Sequence, residues 1–238
     1  MRNSKEAFDK AKEHTPTIAV ELRQGWFRHD VVKELQGSDN VGIELGVAAG
    51  GFSRRMLESE KFRRLYGVDM YAGGKHDTNE YLNALRHVGF SNPTYSLLRM
   101  DFESALSIFD DNYFDFIYID GFAHTGEEGG KTILDWARKL KLGGIIGGDD
   151  YHADWPLVTW AVNDFAKRMG TAVYVTSERE TANYSRYPTW FLRKERELYD
   201  YSVDPILFDL AMKEKKRVAS KKGWATSFTR KVKGKIMR

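Results

Sequence analysis

The chain has 238 residues, 42% of them hydrophobic and 30% charged, enough for one α/β domain with a sizeable core and an appendage. It has no cysteine, which excludes disulfides and thiolate metal sites and fits a reducing, cytoplasmic setting. The net charge of +3 is unevenly spread: Lys213 to Arg238 holds eleven basic residues against one acid, Glu214, so this stretch carries +10 and residues 1–212 carry −7.

In chain order, Met1 to His14 is charged and lacks the apolar stretch of a signal peptide. Ser4 to Glu13 and Val20 to Leu35 read as helices, and residues 1–40 as a helical extension. Gln36 to Asn40 is a turn, Val41 to Leu45 a short buried strand, and Phe52 to Glu58 a helix. Further strands are expected at Arg64 to Asp69, Thr94 to Met100, Tyr113 to Asp120, Gly143 to Gly148, Thr171 to Thr176 and Thr189 to Arg193. Between them lie a loop at Tyr71 to Asp77 and helices at Thr78 to His87, Phe102 to Ile108, Lys131 to Leu140 and Trp155 to Met169. This alternation predicts a Rossmann-like, doubly wound, mostly parallel sheet of seven strands in residues 41–195. Residues 196–238 are expected to form a helical, basic tail, with Ile206 to Met212 joining it to the body. No run approaches the ~20 apolar residues of a membrane span.

The most informative stretch is Val41 to Ser53, in which Glu44 ends a strand and Gly46 and Gly50 follow. A strand, a Gly-rich turn and a helix N-terminus suit a nucleotide, although the Gly-x-Gly-x-x-Gly dinucleotide spacing is missing. Glu44, Asp69, Asp101, Asp120 and Asp149 each fall at or just past the carboxyl end of a successive strand. Ligands of open α/β sheets bind outside that edge. Five acids there repel one another unless donors or a cation compensate. The competing reading for each acid is that it caps the next helix.

Glu44-Leu-Gly-Val-Ala-Ala-Gly50, with Asp69 beyond it, resembles the cofactor site of class I S-adenosylmethionine-dependent methyltransferases over about residues 38 to 194. The resemblance implies that Gly46 and Gly50 admit the methionine part of the cofactor. It implies that Asp69 accepts hydrogen bonds from the ribose hydroxyls and that Asp101 meets the adenine amino group. Met70 and Phe102 would lie beside the adenine ring. Asp120-Gly-Phe-Ala-His124 and Asp149-Asp150-Tyr151 resemble the metal site of the macrocin O-methyltransferase group, sugar O-methyltransferases with three such carboxylates. This implies Asp120, Asp149 and Asp150 as ligands of Mg²⁺ or a similar hard cation. Catechol O-methyltransferases are similar but carry Asn at the position of Asp150 and a Lys near that of His124, and no lysine lies between Asp120 and Gly130.

His124 is the expected general base, with His152 the alternative. The resembling group commonly has Asp-Gly-x-His, and here one more residue intervenes. The expected activity is metal-dependent O-methylation of a sugar or glycan, lipid-linked acceptors included. A catechol or phenol O-methyltransferase is the rival enzyme reading. A methyltransferase-fold module that binds RNA or a membrane is the non-enzymatic one. In the tail, Trp224, Phe228, Val232 and Ile236 recur every four residues among basic side chains. This pattern suits an anionic membrane surface at the inner face, with nucleic acid or an acidic protein as rivals and a solvated tail as the plain reading. A homo-oligomer is left open.

Overall fold

The computed structural model describes residues 2–73, 76–180 and 186–236, with side chains as far as Lys221. One eight-stranded sheet runs through it. The strands are β1 (Val20–Arg23), β2 (Asn40–Leu45), β3 (Phe62–Asp69), β4 (Tyr95–Arg99), β5 (Phe114–Ile119), β6 (Leu140–Gly148), β7 (Val173–Thr176) and β8 (Trp190–Arg193). Their spatial order is β1-β7-β8-β6-β5-β2-β3-β4. β8 alone runs antiparallel to its neighbours β6 and β7; all other pairs are parallel. The chain leaves β2 toward β3 and β4, then returns to build β5 and β6 on the other side. The gap beyond the carboxyl ends of β2 and β5 is therefore the switch point of the fold, where ligands sit in open α/β sheets.

Alternation along the strands gives the sheet two apolar faces. On β5, Ile117 and Ile119 face one core with Ile43, Leu45 and Ile146, joined by Trp160, Val162 and Phe165. Those last residues belong to the helix Pro156–Met169, which Pro156 opens and left-handed Gly170 closes. Phe116 and Tyr118 face the second core, with Phe52, Met56, Val31 and Val32. The expected α/β architecture stands, with eight strands where seven were expected.

The difference lies in Val20 to Leu35, expected as one helix. Val20–Arg23 instead pairs in parallel with Val173–Thr176 as an added edge strand. Gly25 then turns the chain at φ +75, and a 3-10 turn follows at Arg28–Glu34. Four residues carry too little periodicity to separate strand from helix, and the pairing with β7 decides it. Residues 1–40 are thus woven into the sheet and its helices instead of standing outside them.

The helices are α1 (Lys5–His14), α2 (Gly51–Glu58), α3 (Thr78–Val88), α4 (Phe102–Leu106), α5 (Gly126–Gly129), α6 (Lys131–Ala137), α7 (Pro156–Met169) and α8 (Pro205–Ile236). The single turn α5 is unusual: Glu127 and Glu128 have φ of 54° and 52°, between Gly126 at 58° and Gly129 at 67°. Such a left-handed turn is costly for non-glycine residues and needs surroundings that impose it. They are present, because a Cβ at Gly126 would meet the Leu157 carbonyl oxygen at 2.4 Å and one at Gly129 the Phe208 Cα at 2.7 Å. The beginning of α8 buries Leu207, Leu210 and Ala211. The backbone of α8 extends through the basic tail, but the Trp224, Phe228, Val232 and Ile236 stripe lies outside the residues whose side chains are described. Among the described residues no helix is long and apolar enough to cross a membrane.

Candidate active site

The carboxyl ends of the central strands open onto a cleft of about 980 Å³. Its floor is the turn after β2. Gly46 has φ +95, and a Cβ there would sit 1.8 Å from the Asp120 carbonyl oxygen, so only glycine lets the turn lie against the end of β5. Val47 and Ala48 donate their N–H groups to Asp69 Oδ2 at 3.1 and 3.0 Å, and Tyr71 donates to Asp69 Oδ1 at 3.1 Å. Asp69 thus pins the turn in place. A carboxylate has about four lone-pair sites, so three N–H donors leave it room for a ligand hydroxyl.

The expected cofactor residues separate into two groups. Glu44, Gly46, Asp69, Met70 and Phe102 line the cleft, Met70 half exposed and Phe102 packed against Gly121. Asp101 and Gly50 are not among the lining residues. Asp101 caps α4, its Oδ1 accepting from the Ser104 N–H at 2.7 Å and its Oδ2 from the Ser104 hydroxyl at 2.9 Å. These two bonds hold its carboxyl below the usual range. Asp101 thus serves as the cap of its own helix, outside the lining of the cleft. Gly50, at φ +79, starts α2 and lets it pass close to Val88 and Ala84 of α3.

The expected metal ligands end on the cleft as well, but around a different cation. Arg28, which opens the 3-10 turn, is 3% exposed. Its Nη2 donates to Asp120 Oδ2 at 2.7 Å and its Nη1 to Asp149 Oδ2 at 3.4 Å. Its guanidinium lies over the Phe52 and Tyr118 rings, 4.4 and 4.8 Å from their centroids. Burial alone disfavours the charged form, yet Tyr118, Asp120, Asp149 and Glu44 around it hold Arg28 protonated more firmly than usual. Asp120 and Asp149 converge on Arg28, and among the described residues no group of three or more His, Asp or Glu side chains is placed to hold a metal ion. The arrangement does not fit the expected Mg²⁺ site, because a guanidinium takes the place between the carboxylates.

One guanidinium serves several acids, and burial raises the more deeply buried carboxyls above their ordinary values. Burial raises Asp149 well above its ordinary value, Arg28 opposes this, and Asp120 and Asp150 add to it. Glu44 is 1% exposed and accepts from the Ser53 hydroxyl, which also pairs with Tyr95. Burial pushes Glu44 up to about 8. Asp150, at the left-handed φ of +66, faces the cleft and is pushed up to about 7, by burial first and then by Asp120. Glu127 lies buried in the left-handed turn, its Oε1 accepting from the Phe122 N–H at 3.4 Å; burial and then Asp120 and Asp150 raise it well above the usual range.

Neither histidine expected as base lines the cleft. His124 lies in the short turn Ala123–Thr125, where its carbonyl accepts from the Asn3 side chain at 2.7 Å. His152 accepts from the Asp154 N–H through Nδ1 at 3.1 Å, and its ring lies beside Tyr187. Arg28, Arg186 and Tyr187 do line it, and sequence reading missed all three. Arg28 sits 92 residues from Asp120, a pairing that no local pattern announces.

Residues 42–151 match the model of a family described as "Methyltransferase domain". No curated protein matches the chain. Among solved structures, a spermidine synthase in complex with the transition-state analogue AdoDATO is similar at a TM-score of 0.54 and 18% identity, over 75% of this chain and 60% of that one. Spermidine synthase from Thermotoga maritima gives 0.54 and 19% over the same shares, so the chain spans 60% of the length of both. An rRNA methylase from Streptococcus thermophilus gives 0.50 and 15%, over 71% of this chain and 94% of that one. At these identities the likeness is one of fold, the α/β Rossmann-like methyltransferase fold with a mostly parallel sheet.

The buried Glu44 gives a pH signature. Its folded-state pKa of about 8 exceeds the ordinary 4.5. Its contribution to stability is therefore full below about 4.5 and is lost as pH rises toward about 8, with a limiting slope of about 1.4 kcal/mol per pH unit. Glu44→Gln keeps the shape and removes the titration. Urea denaturation across that range is expected to show wild type losing stability relative to Glu44→Gln as pH rises; a constant difference between the two would refute the assignment.

Proposed function

We propose that the protein is an S-adenosylmethionine-dependent O-methyltransferase whose acceptor is a hydroxyl of a sugar or glycan. The observation that carries this reading is the cleft itself, with a glycine turn pinned by Asp69 on one side and Asp120 and Asp150 on the other. The cradle at Gly46, which any side chain would fill, and the apolar contacts offered by Met70 and Phe102 fit the cofactor. When bound there, S-adenosylmethionine supplies an electrophilic methyl sulfonium, so the protein's task is to align and deprotonate the acceptor.

Asp150 suits the proton transfer. It faces the cleft, and its pKa of about 7 places it where a general base works best. The acceptor hydroxyl gives its proton to the Asp150 carboxylate as its oxygen takes the methyl group, leaving a methyl ether, the demethylated cofactor and a protonated Asp150. Asp120, Arg186 and Tyr187 offer acceptors and donors that match a polyhydroxylated acceptor. The base role thus passes from His124 to Asp150, and no step is assigned to a metal. A second reading draws on the same acids. An acidic cleft also suits a cationic amine, and two of the similar folds are spermidine synthases. The basic stretch from Lys213, with its aromatic and aliphatic stripe, is proposed to bind an anionic membrane surface.

Calorimetry with S-adenosylhomocysteine is expected to show binding to wild type, weakened in Asp69→Ala by about 1.5–3 kcal/mol, since both a ligand acceptor and the pin on the turn are lost. No binding to wild type would end the reading. With sugar, phenol and polyamine acceptors compared, wild-type turnover of a sugar is expected to fall as pH drops through the Asp150 pKa of about 7. Asp150→Asn is expected to lower kcat by about 10²–10⁴-fold and abolish that limb. Turnover of the polyamine alone would favour the second reading. Flotation with anionic liposomes is expected for wild type and lost in a Val232→Ser/Ile236→Ser double variant; undiminished flotation of that variant would leave only charge to explain the binding.

A further inference from the structure

Asp120 and Asp149 follow the ends of the adjacent strands β5 and β6, the arrangement in which two carboxylates aim at a single point. That point is filled from outside the strand-helix repeat. Arg28 belongs to the turn before β2, and the turn is anchored on both sides of it. The Phe27 N–H donates to Asp30 Oδ2 at 2.8 Å, closing the start of the turn. Val31 and Val32 are buried in the second core beside Phe52. The guanidinium thus reaches the acids from a fixed base.

Its surroundings use the chemistry that separates a guanidinium from a metal ion or an ammonium. The planar group donates in its plane to two carboxylates from two nitrogens, while Phe52 and Tyr118 cover it within 5 Å. The two rings are themselves in contact, 4.4 Å between centroids at 55°, and both are buried. A hard divalent cation needs six or more oxygens, several of them water, and gains nothing from two aromatic faces. To admit one, Arg28 would have to leave both acids and both rings with its turn still anchored.

We propose that Arg28 is the resident cation of this site, standing permanently where paired strand-end acids would otherwise recruit a divalent metal. The inference concerns the same cleft as the proposed methyl transfer but does not rest on the identity of the acceptor. A built-in guanidinium cannot be chelated or exchanged. Carrying one charge where a metal carries two, it also leaves the cleft net acidic. The vacancy left by its removal is the diagnostic: with Arg28 gone, Asp120 and Asp149 face each other with no cation between them.

The experiment uses Mn²⁺ as the probe and the full chain, followed by water-proton relaxation and by thermal melting. Wild type is expected to bind no Mn²⁺ at millimolar concentration and to melt at the same temperature in Mn²⁺ and in EDTA. Arg28→Met keeps the aliphatic stem against Phe52 and Tyr118 and removes the charge. It is expected to bind Mn²⁺, to melt higher with it than without, and to lose both responses when Asp149→Asn is added. Saturable Mn²⁺ binding to wild type that Asp149→Asn abolishes would overturn the proposal, as would a folded Arg28→Met that ignores Mn²⁺. If Arg28→Met does not fold, the wild-type titration decides alone. None of these readouts needs an acceptor, so failure here is distinguishable from failure of the methyl-transfer reading.

Discussion

A sheet that sends carboxylates to one edge must compensate their charge, and in this protein the compensation is a single buried guanidinium. Asp120 and Asp149 accept from Arg28, and Glu44 lies within its electrostatic reach. The acids outnumber the cation, and burial raises Glu44, Asp149 and Asp150 above their ordinary values. Burial and mutual repulsion thus act against ionisation of these carboxyls, as water would not. The organisation of residues 20–35 follows from the same constraint, since the chain must bring Arg28 in before the first central strand begins.

The second constraint is distance between backbones. The turn after β2 approaches the end of β5 so closely that Gly46 has no alternative, and β6 repeats the device at Gly148, where a Cβ would meet the Ile119 carbonyl at 2.5 Å. Close approach brings Asp69, Asp120 and Asp149 to the rim of one cleft although they lie on three strands. A substitution at either glycine would separate the acids before it touched any of them.

Much of this was legible in the sequence. The strand and helix alternation and the five strand-end acids are local or periodic features, and the structure contains them. Three things were hidden for physical reasons. Val20 to Arg23 becomes a strand only because β7 offers it an edge, and an edge partner 153 residues away leaves no mark on a four-residue segment. Asp101 ends its strand like the other acids, but Ser104 lies three residues on and bonds it as a helix cap, outside the cleft lining. His124 looked poised after Asp120, yet the Gly-Glu-Glu-Gly-Gly run behind it winds left-handed, its carbonyl accepts from Asn3, and it does not line the cleft. That glycine-dense run was a visible sign of special backbone; what it did with the histidine was not.

That left-handed turn also fixes an order of events. It is held by partners from both extremes of the chain. Asn3 bonds the His124 carbonyl and, 211 residues away, Glu214, while Lys215 pairs with Glu128 at 2.7 Å. During synthesis the loop after β5 can pack on α7 once Leu157 has emerged, but its contacts with Glu214 and Lys215 wait for the beginning of α8. A nascent chain halted before Pro205 would have the α7 side of that turn's frame and lack the α8 side. That side of the turn is thereby completed only after every strand of the sheet has been made.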